Sequence, residues 1–97
     1  MNYRVSIIMP CRNEAAHVEH PVRDALTQER RGFDLEVLVA VGPSEDDTRA
    51  IVERIASENA EVVLVENPAG VVPHGLNAAI RLSTGKFIVR MDAHSRY

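Results

Sequence analysis

The feature that most constrains this chain is a regular alternation. Four short, nearly all-apolar runs stand at Arg4–Met9 (RVSIIM), Leu35–Val41 (LEVLVAV), Glu61–Glu66 (EVVLVE) and Lys86–Met91 (KFIVRM). Between them, apolar residues recur at helical spacing. A strand that is apolar on both faces must be covered on both faces, and the helices that link such strands supply the cover. The pattern predicts the order β-α-β-α-β-α-β, an α/β fold with a parallel sheet and strands near 4–9, 35–41, 62–66 and 86–91. Pro10 should close the first strand. The first helix is expected over Glu14–Gln28, with Val18, Val22, Ala25 and Leu26 as its stripe. Pro21 should kink that helix or mark its real start after a looser turn. A second helix is expected over Thr48–Glu58, capped by Ser44, Asp46 or Asp47, and a third over Gly75–Ser83 with Gly85 as C-cap.

Composition narrows the partners. A chain of 97 residues suits one small domain, and 45% hydrophobic with 26% charged residues is a globular balance. A net charge of -3 gives no general attraction to nucleic acid or anionic lipid, so phosphates would have to be held locally. No apolar run approaches the about 18–20 residues that span a bilayer. Cys11 is the single cysteine, which excludes an internal disulfide and makes a cytoplasmic protein the default expectation.

Open parallel sheets bind ligands outside the carboxyl ends of their strands. That rule selects four segments, and the polar residues gather in them. Pro10-Cys11-Arg12-Asn13-Glu14 follows the first strand. Arg12 or free amides could face a phosphate, and Asn13 and Glu14 a base or ribose; the same residues could simply form a polar turn that caps the helix. Gly42-Pro43-Ser44-Glu45-Asp46-Asp47-Thr48 reads as a turn with N-caps, with a ligand role for Asp46 open beside it. Pro68–Asn77 carries Gly75 and Asn77 at a helix start, where small residues let a ligand approach backbone; His74 there reads equally as a surface histidine. Asp92-Ala93-His94 ends the last strand, and a carboxylate and an imidazole two residues apart can both turn toward one Mg²⁺ or Mn²⁺ ion. The chain has neither GxGxxG nor GxxxxGK[ST], which argues against dinucleotide-binding and P-loop sites.

Taken together these residues resemble glycosyltransferase family 2, the inverting transferases of the GT-A fold, and the resemblance covers the whole chain. Pro10-Cys11-Arg12-Asn13-Glu14 is similar to that family's strand-P-x-x-N-E start. Gly42, Ser44, Asp46 and Thr48 resemble its D-G-S-x-D-x-T turn. Asn67-Pro68, Gly75–Ala79 and Thr84-Gly85 resemble its N-x-G-x-x-x-A-x-N-x-G-…-x-x-G run. Asp92-Ala93-His94 stands where the family has D-x-D, and D-x-H resembles the variant of bacterial exopolysaccharide-type, succinoglycan-type transferases. One departure is Val41, where the family usually has an acidic residue for the uracil or ribose.

The resemblance implies the Rossmann-like, nucleotide-sugar-binding half of a GT-A domain over residues 1–97. It implies donor contacts from Pro10, Arg12, Asn13, Glu14, Asp46, Gly75 and Asn77, and Mg²⁺ or Mn²⁺ on Asp92 and His94. The implied donor is a nucleotide-diphosphate sugar, a UDP-sugar first, and the acceptor a glycan or lipid-linked hydroxyl. The family's catalytic base lies beyond the metal motif, so the expectation is a fragment that ends before its acceptor half and is inactive alone. Its cut sheet edge is expected to favour homo-oligomers, and the longer protein to lie in the cytoplasm or at the cytoplasmic face of a membrane. The alternative is a non-catalytic α/β nucleotide-binding or regulatory module.

Overall fold

The computed structural model describes residues 3–27, 33–70 and 72–91. Its elements run β1 (Tyr3–Cys11), α1 (Glu19–Leu26), β2 (Phe33–Val41), α2 (Thr48–Glu58), β3 (Val62–Glu66), α3 (Val72–Leu82) and β4 (Phe87–Arg90). The four strands form one sheet in the order β3-β2-β1-β4, and every pairing is parallel. The expected β-α-β-α-β-α-β fold is therefore the observed one.

Side-chain alternation divides the core into two layers. Ile7, Met9 and Cys11 of β1 and Leu35, Val37, Val39 and Val41 of β2 point to one face. There they meet Val18, Val22 and Ala25 from the α1 side and Val52 and Ile55 of α2. Ile8, Leu38, Ala40 and Val65 point to the other face and meet Ala79, with Leu76 and Ala78 of α3 packed against them. Burying side chains of this size contributes about 1.5–3 kcal/mol each before the entropy cost of ordering them, so the central strands dominate stability.

Local expectations are corrected at several points. Pro10 does not close β1; it pairs with Ala40 inside the strand. The carbonyls of Arg4 and Ile8 accept from Lys86 and Met91 on the β4 side, whereas that of Cys11 accepts from Gly42 on the β2 side. Pro10 belongs to the β4-facing set, two residues beyond Ile8, the last residue paired with β4, so its missing N–H breaks no ladder bond. The first helix starts at Glu19 rather than Glu14. Of the two outcomes open to Pro21 the observed one is the late start, because its ring would clash with a helical carbonyl at His17. Neither Asn13 nor Glu14 caps that helix, whose N-cap is Val18 without a side-chain bond. The third helix begins three residues earlier than expected, with Pro73 in its first turn, where a missing N–H costs nothing. Gly85 lies three residues past that helix and is not its C-cap. It is needed for space, because a Cβ there would overlap the Ser6 hydroxyl and stand 2.6 Å from the Ser6 nitrogen.

Candidate functional site

The chain runs outward from β1 to β3 and then returns past β1 to β4, so strand order reverses between β1 and β4. The crevice at such a reversal, beyond the carboxyl ends, is where open α/β sheets place ligands. Among the described residues, the loops after β1, β2 and β3 form the adjoining part of that carboxyl edge.

Side chains stitch those loops together. Asn13 adopts φ 52, a left-handed conformation that asparagine tolerates better than most residues. Its amide donates to Ser44 Oγ at 3.0 Å, and its Oδ1 accepts from the Glu45 amide at 2.8 Å. The Glu14 amide donates to Thr48 Oγ1 at 2.8 Å. The Ala15 amide donates to Asp46 Oδ2 at 3.2 Å, and the Thr48 amide to Asp46 Oδ1 at 3.0 Å. Arg12 spans both neighbouring loops, donating from Nε to the Pro43 carbonyl at 3.0 Å and from Nη1 to that of Gly70 at 3.4 Å. Gly70 itself sits at φ 72, in the left-handed region that suits glycine. These bonds fix the rim before any ligand arrives.

The charges follow from that network. The Thr48 hydroxyl, bonded to Asp46 Oδ1, holds the Asp46 carboxyl below its usual range; burial opposes this, and the Thr48 and Ala15 amides add to it. Asp46 is therefore an anion with its oxygens occupied, and it caps α2 through Thr48, whereas Asp47, the residue at the N-cap position, makes no such bond. Burial first, then the nearby charges of Glu14 and Asp46, push the Cys11 thiol up to about 12. It therefore stays protonated at neutral pH, which leaves little thiolate for nucleophilic attack. Arg12 bonds two neutral carbonyls, and these leave its positive charge in place on the rim.

Arg12, Asn13, Glu14 and Asp46 are thus brought into one bonded rim, with Pro10 at its base on β1. Gly75 lies deeper: it is buried, and a Cβ there would meet Asn67 Nδ2 at 2.7 Å and Ala40 Cβ at 3.2 Å. Its smallness lets α3 close onto the sheet. Asn77 stands apart from the rim, with His74 and Arg81 one turn to either side of it, in a cleft of about 380 Å³ between α3 and Glu66–Ala69. A second hollow of about 310 Å³ lies against α2 and is lined by Ser44, Asp46, Asp47 and Arg49. Asp92 and His94 lie outside the described residues. Their neighbour Met91 is described; its amide donates to the Ile8 carbonyl at 3.0 Å and its side chain is buried. Among the described residues no group of three or more His, Cys, Asp or Glu could hold a metal ion.

Sequence reasoning missed a second polar cluster at the opposite end of the sheet. Glu36, 9% exposed, accepts from Ser6 Oγ at 2.5 Å, from the Thr84 amide at 2.7 Å and from Thr84 Oγ1 at 3.2 Å. The signal was present, since a serine and a glutamate interrupt two otherwise apolar buried strands.

Comparison with known proteins sets this geometry in context. The family model described as "Glycosyl transferase family 2" matches residues 6–97. The succinoglycan biosynthesis protein ExoA of Rhizobium meliloti is 35% identical over 96 residues, covering 94% of this chain and 28% of that protein. Chondroitin synthase of Pasteurella multocida is 30% identical over 89 residues, covering 92% of this chain and 9% of that protein. A solved mannosyltransferase from Pyrobaculum calidifontis, in complex with GDP-Man and Mn²⁺, superposes with a TM-score of 0.86 at 31% identity, covering 100% of this chain and 29% of that one. The chain therefore spans less than a third of the length of each of these proteins.

Proposed function

The chain belongs to glycosyl transferase family 2, and from that premise we propose that its carboxyl edge binds the nucleotide end of a nucleotide-diphosphate sugar for transfer to an acceptor hydroxyl. The observation that carries this reading is the bonded rim, in which Arg12, Asn13, Glu14 and Asp46 meet at the carboxyl edge of the sheet, beside the strand next to which its order reverses. A rim fixed in advance loses little conformational freedom on binding. Arg12 supplies a cation for phosphate, and the residues about it orient the nucleoside. Asn77, in the cleft beside α3, offers polar groups to the donor from that side. Gly75 contributes by letting α3 seat against the sheet.

A carboxylate and an imidazole in Asp92-Ala93-His94 form a donor set that fits Mg²⁺ or Mn²⁺. Asp92 and His94 would hold the ion, which would neutralise charge on a departing diphosphate. The ion's presence with GDP-Man in the Pyrobaculum mannosyltransferase supports the assignment. Val41 is buried and packs with the core, so no carboxylate stands there to meet a uracil or ribose. UDP and GDP are therefore both admissible donor nucleotides. In this reading residues 1–97 are the donor half of a longer transferase, which supplies the catalytic base and the site for a glycan or lipid-linked acceptor and lies in the cytoplasm or at the cytoplasmic face of a membrane. The apolar side chains that β4 exposes, Phe87, Ile88 and Val89, support a further proposal, that isolated chains associate through this edge.

Thermal unfolding with UDP, GDP and ADP, each with and without Mn²⁺, tests the donor reading. A nucleotide held at a hundred times its Kd stabilises by about 2.7 kcal/mol. We expect a metal-dependent rise in Tm for UDP or GDP. No rise with any nucleotide would refute it, leaving the non-catalytic module.

A further inference from the structure

β4 poses a register problem. Among the described residues its four positions pair with β1 alone, Val5↔Phe87 to Ile8↔Arg90. All four are exposed, and three are apolar, on both faces of the strand. Register is strongly specified only where one face is buried and the other is not. Burial of these side chains therefore does little to distinguish the observed pairing from one slipped along β1.

The ends of the strand do. Beyond its carboxyl end the Met91 side chain enters the core. At its amino end, three consecutive residues are held by different donor and acceptor groups. The Thr84 amide donates to Glu36 Oε2 at 2.7 Å, the Gly85 amide to Ser6 Oγ at 2.8 Å, and the Lys86 amide to the Arg4 carbonyl at 2.8 Å. Ser6 in turn donates to Glu36, and Arg4 Nη1 donates to Thr84 Oγ1 at 2.9 Å and lies 3.9 Å from Glu36 Oε1. Steric fit makes the arrangement selective. Only glycine can lie against Ser6, since any Cβ there would overlap it, so a slip by one residue would force Thr84 or Lys86 into that place.

We propose that Glu36, Ser6, Thr84 and Gly85 form a register clamp, which sets β4 against β1 and so sets the position of Met91 at the carboxyl edge of the sheet. Glu36 is then a positioning residue for the donor site, far from it and on the opposite end of the sheet. The positioning role rests on the donor reading; the clamp does not.

Amide hydrogen exchange on the 97-residue chain tests the clamp. In Glu36→Ala, residues 87–91 should lose protection by roughly ten- to a hundredfold more than β2 and β3. Val52→Ala, a core control of comparable global cost, should lower protection in all strands together, and Glu36→Gln, which keeps an acceptor for Thr84, should restore part of β4. If Glu36→Ala does not fold, Ser6→Ala carries the same expectation with a smaller loss. Uniform loss across all four strands in the Glu36 or Ser6 variants would overturn the clamp. Calorimetry with GDP or UDP and Mn²⁺ then tests the link: affinity should fall in Glu36→Ala and recover partly in Glu36→Gln, while Val52→Ala at a temperature where it is folded should bind as wild type. Binding that survives Glu36→Ala unchanged would overturn the positioning role, whereas no binding in the wild type would overturn the donor reading and leave the clamp standing on exchange.

Discussion

β2 and β4 are written in nearly the same alphabet and live in opposite surroundings. LEVLVAV of β2 is buried along its length; FIVR of β4 is exposed along its length, at 53% for Phe87 and 45% for Val89. β2 has a strand on either side and helices over both faces, and β4 has one neighbour. Hydropathy therefore says that a segment forms a strand, but burial is a property of what lies beside it. The difference extends to what fixes each strand. β2 is held by apolar packing spread over its length, whereas β4 adds to its pairing with β1 two anchors beyond its ends, the polar cluster about Glu36 and the side chain of Met91.

The largest effect that would break this comparison comes from truncating equivalent apolar residues. Leu38→Ala in β2 should cost about 2–5 kcal/mol, and Ile88→Ala in β4 about 0.5 kcal/mol or less, in urea unfolding. Equal costs would mean that β4 is covered in solution, as association through its edge would achieve. Next, Glu36→Ala leaves Ser6 and the Thr84 amide without their acceptor, and should cost about 2–4 kcal/mol.

The same carboxylate sharpens the comparison through pH. Burial alone would raise the Glu36 carboxyl, but hydrogen bonds from Ser6 and Thr84 and the charge of Arg4 outweigh it and hold the group below its ordinary 4.5. A depressed folded value means that the unfolded chain binds the proton first as pH falls. The contribution is thus fully present above about 4.5 and is lost as pH drops through the folded value. Asp46 is shifted the same way, so the test is the difference between wild type and Glu36→Gln. Stability of the variant should fall less steeply below that pH, and parallel curves would show that the cluster is not ionised as described.

A smaller effect separates structure from ligand binding on the rim. Asn13→Ala loses the bond to the Glu45 amide and puts at positive φ a residue that tolerates it less well than asparagine, at a cost of about 1–3 kcal/mol. Asn13→Gly should cost less, because the backbone is then unstrained. Equal costs in thermal unfolding would show that the left-handed turn is not what asparagine supplies.

The sequence made the sheet legible because apolar runs of strand length alternate with helical stripes. It pointed to the carboxyl edge because polar residues gather in the loops after the strands. What was not legible was partnership. Asn13 and Asp46 looked like ligands or caps; both hold one loop to the next, and that depends on which strands are neighbours. Gly85 looked like a helix cap until the serine of β1 was found against it. Glu36 was read as one letter of an apolar run, although a lone carboxylate there had to find donors.

The most direct test of the account is calorimetry of GDP and UDP binding to the wild-type chain and to Asp92→Ala, His94→Ala and His74→Ala, each with and without Mn²⁺. Two side chains cannot fill the about six sites of such a cation, so metal alone should bind poorly and nucleotide should recruit it. The account predicts nucleotide binding that requires Mn²⁺, that is lost in Asp92→Ala and His94→Ala, and that is nearly unchanged in His74→Ala. Binding that is indifferent to Mn²⁺, or that persists in both Asp92→Ala and His94→Ala, would contradict it.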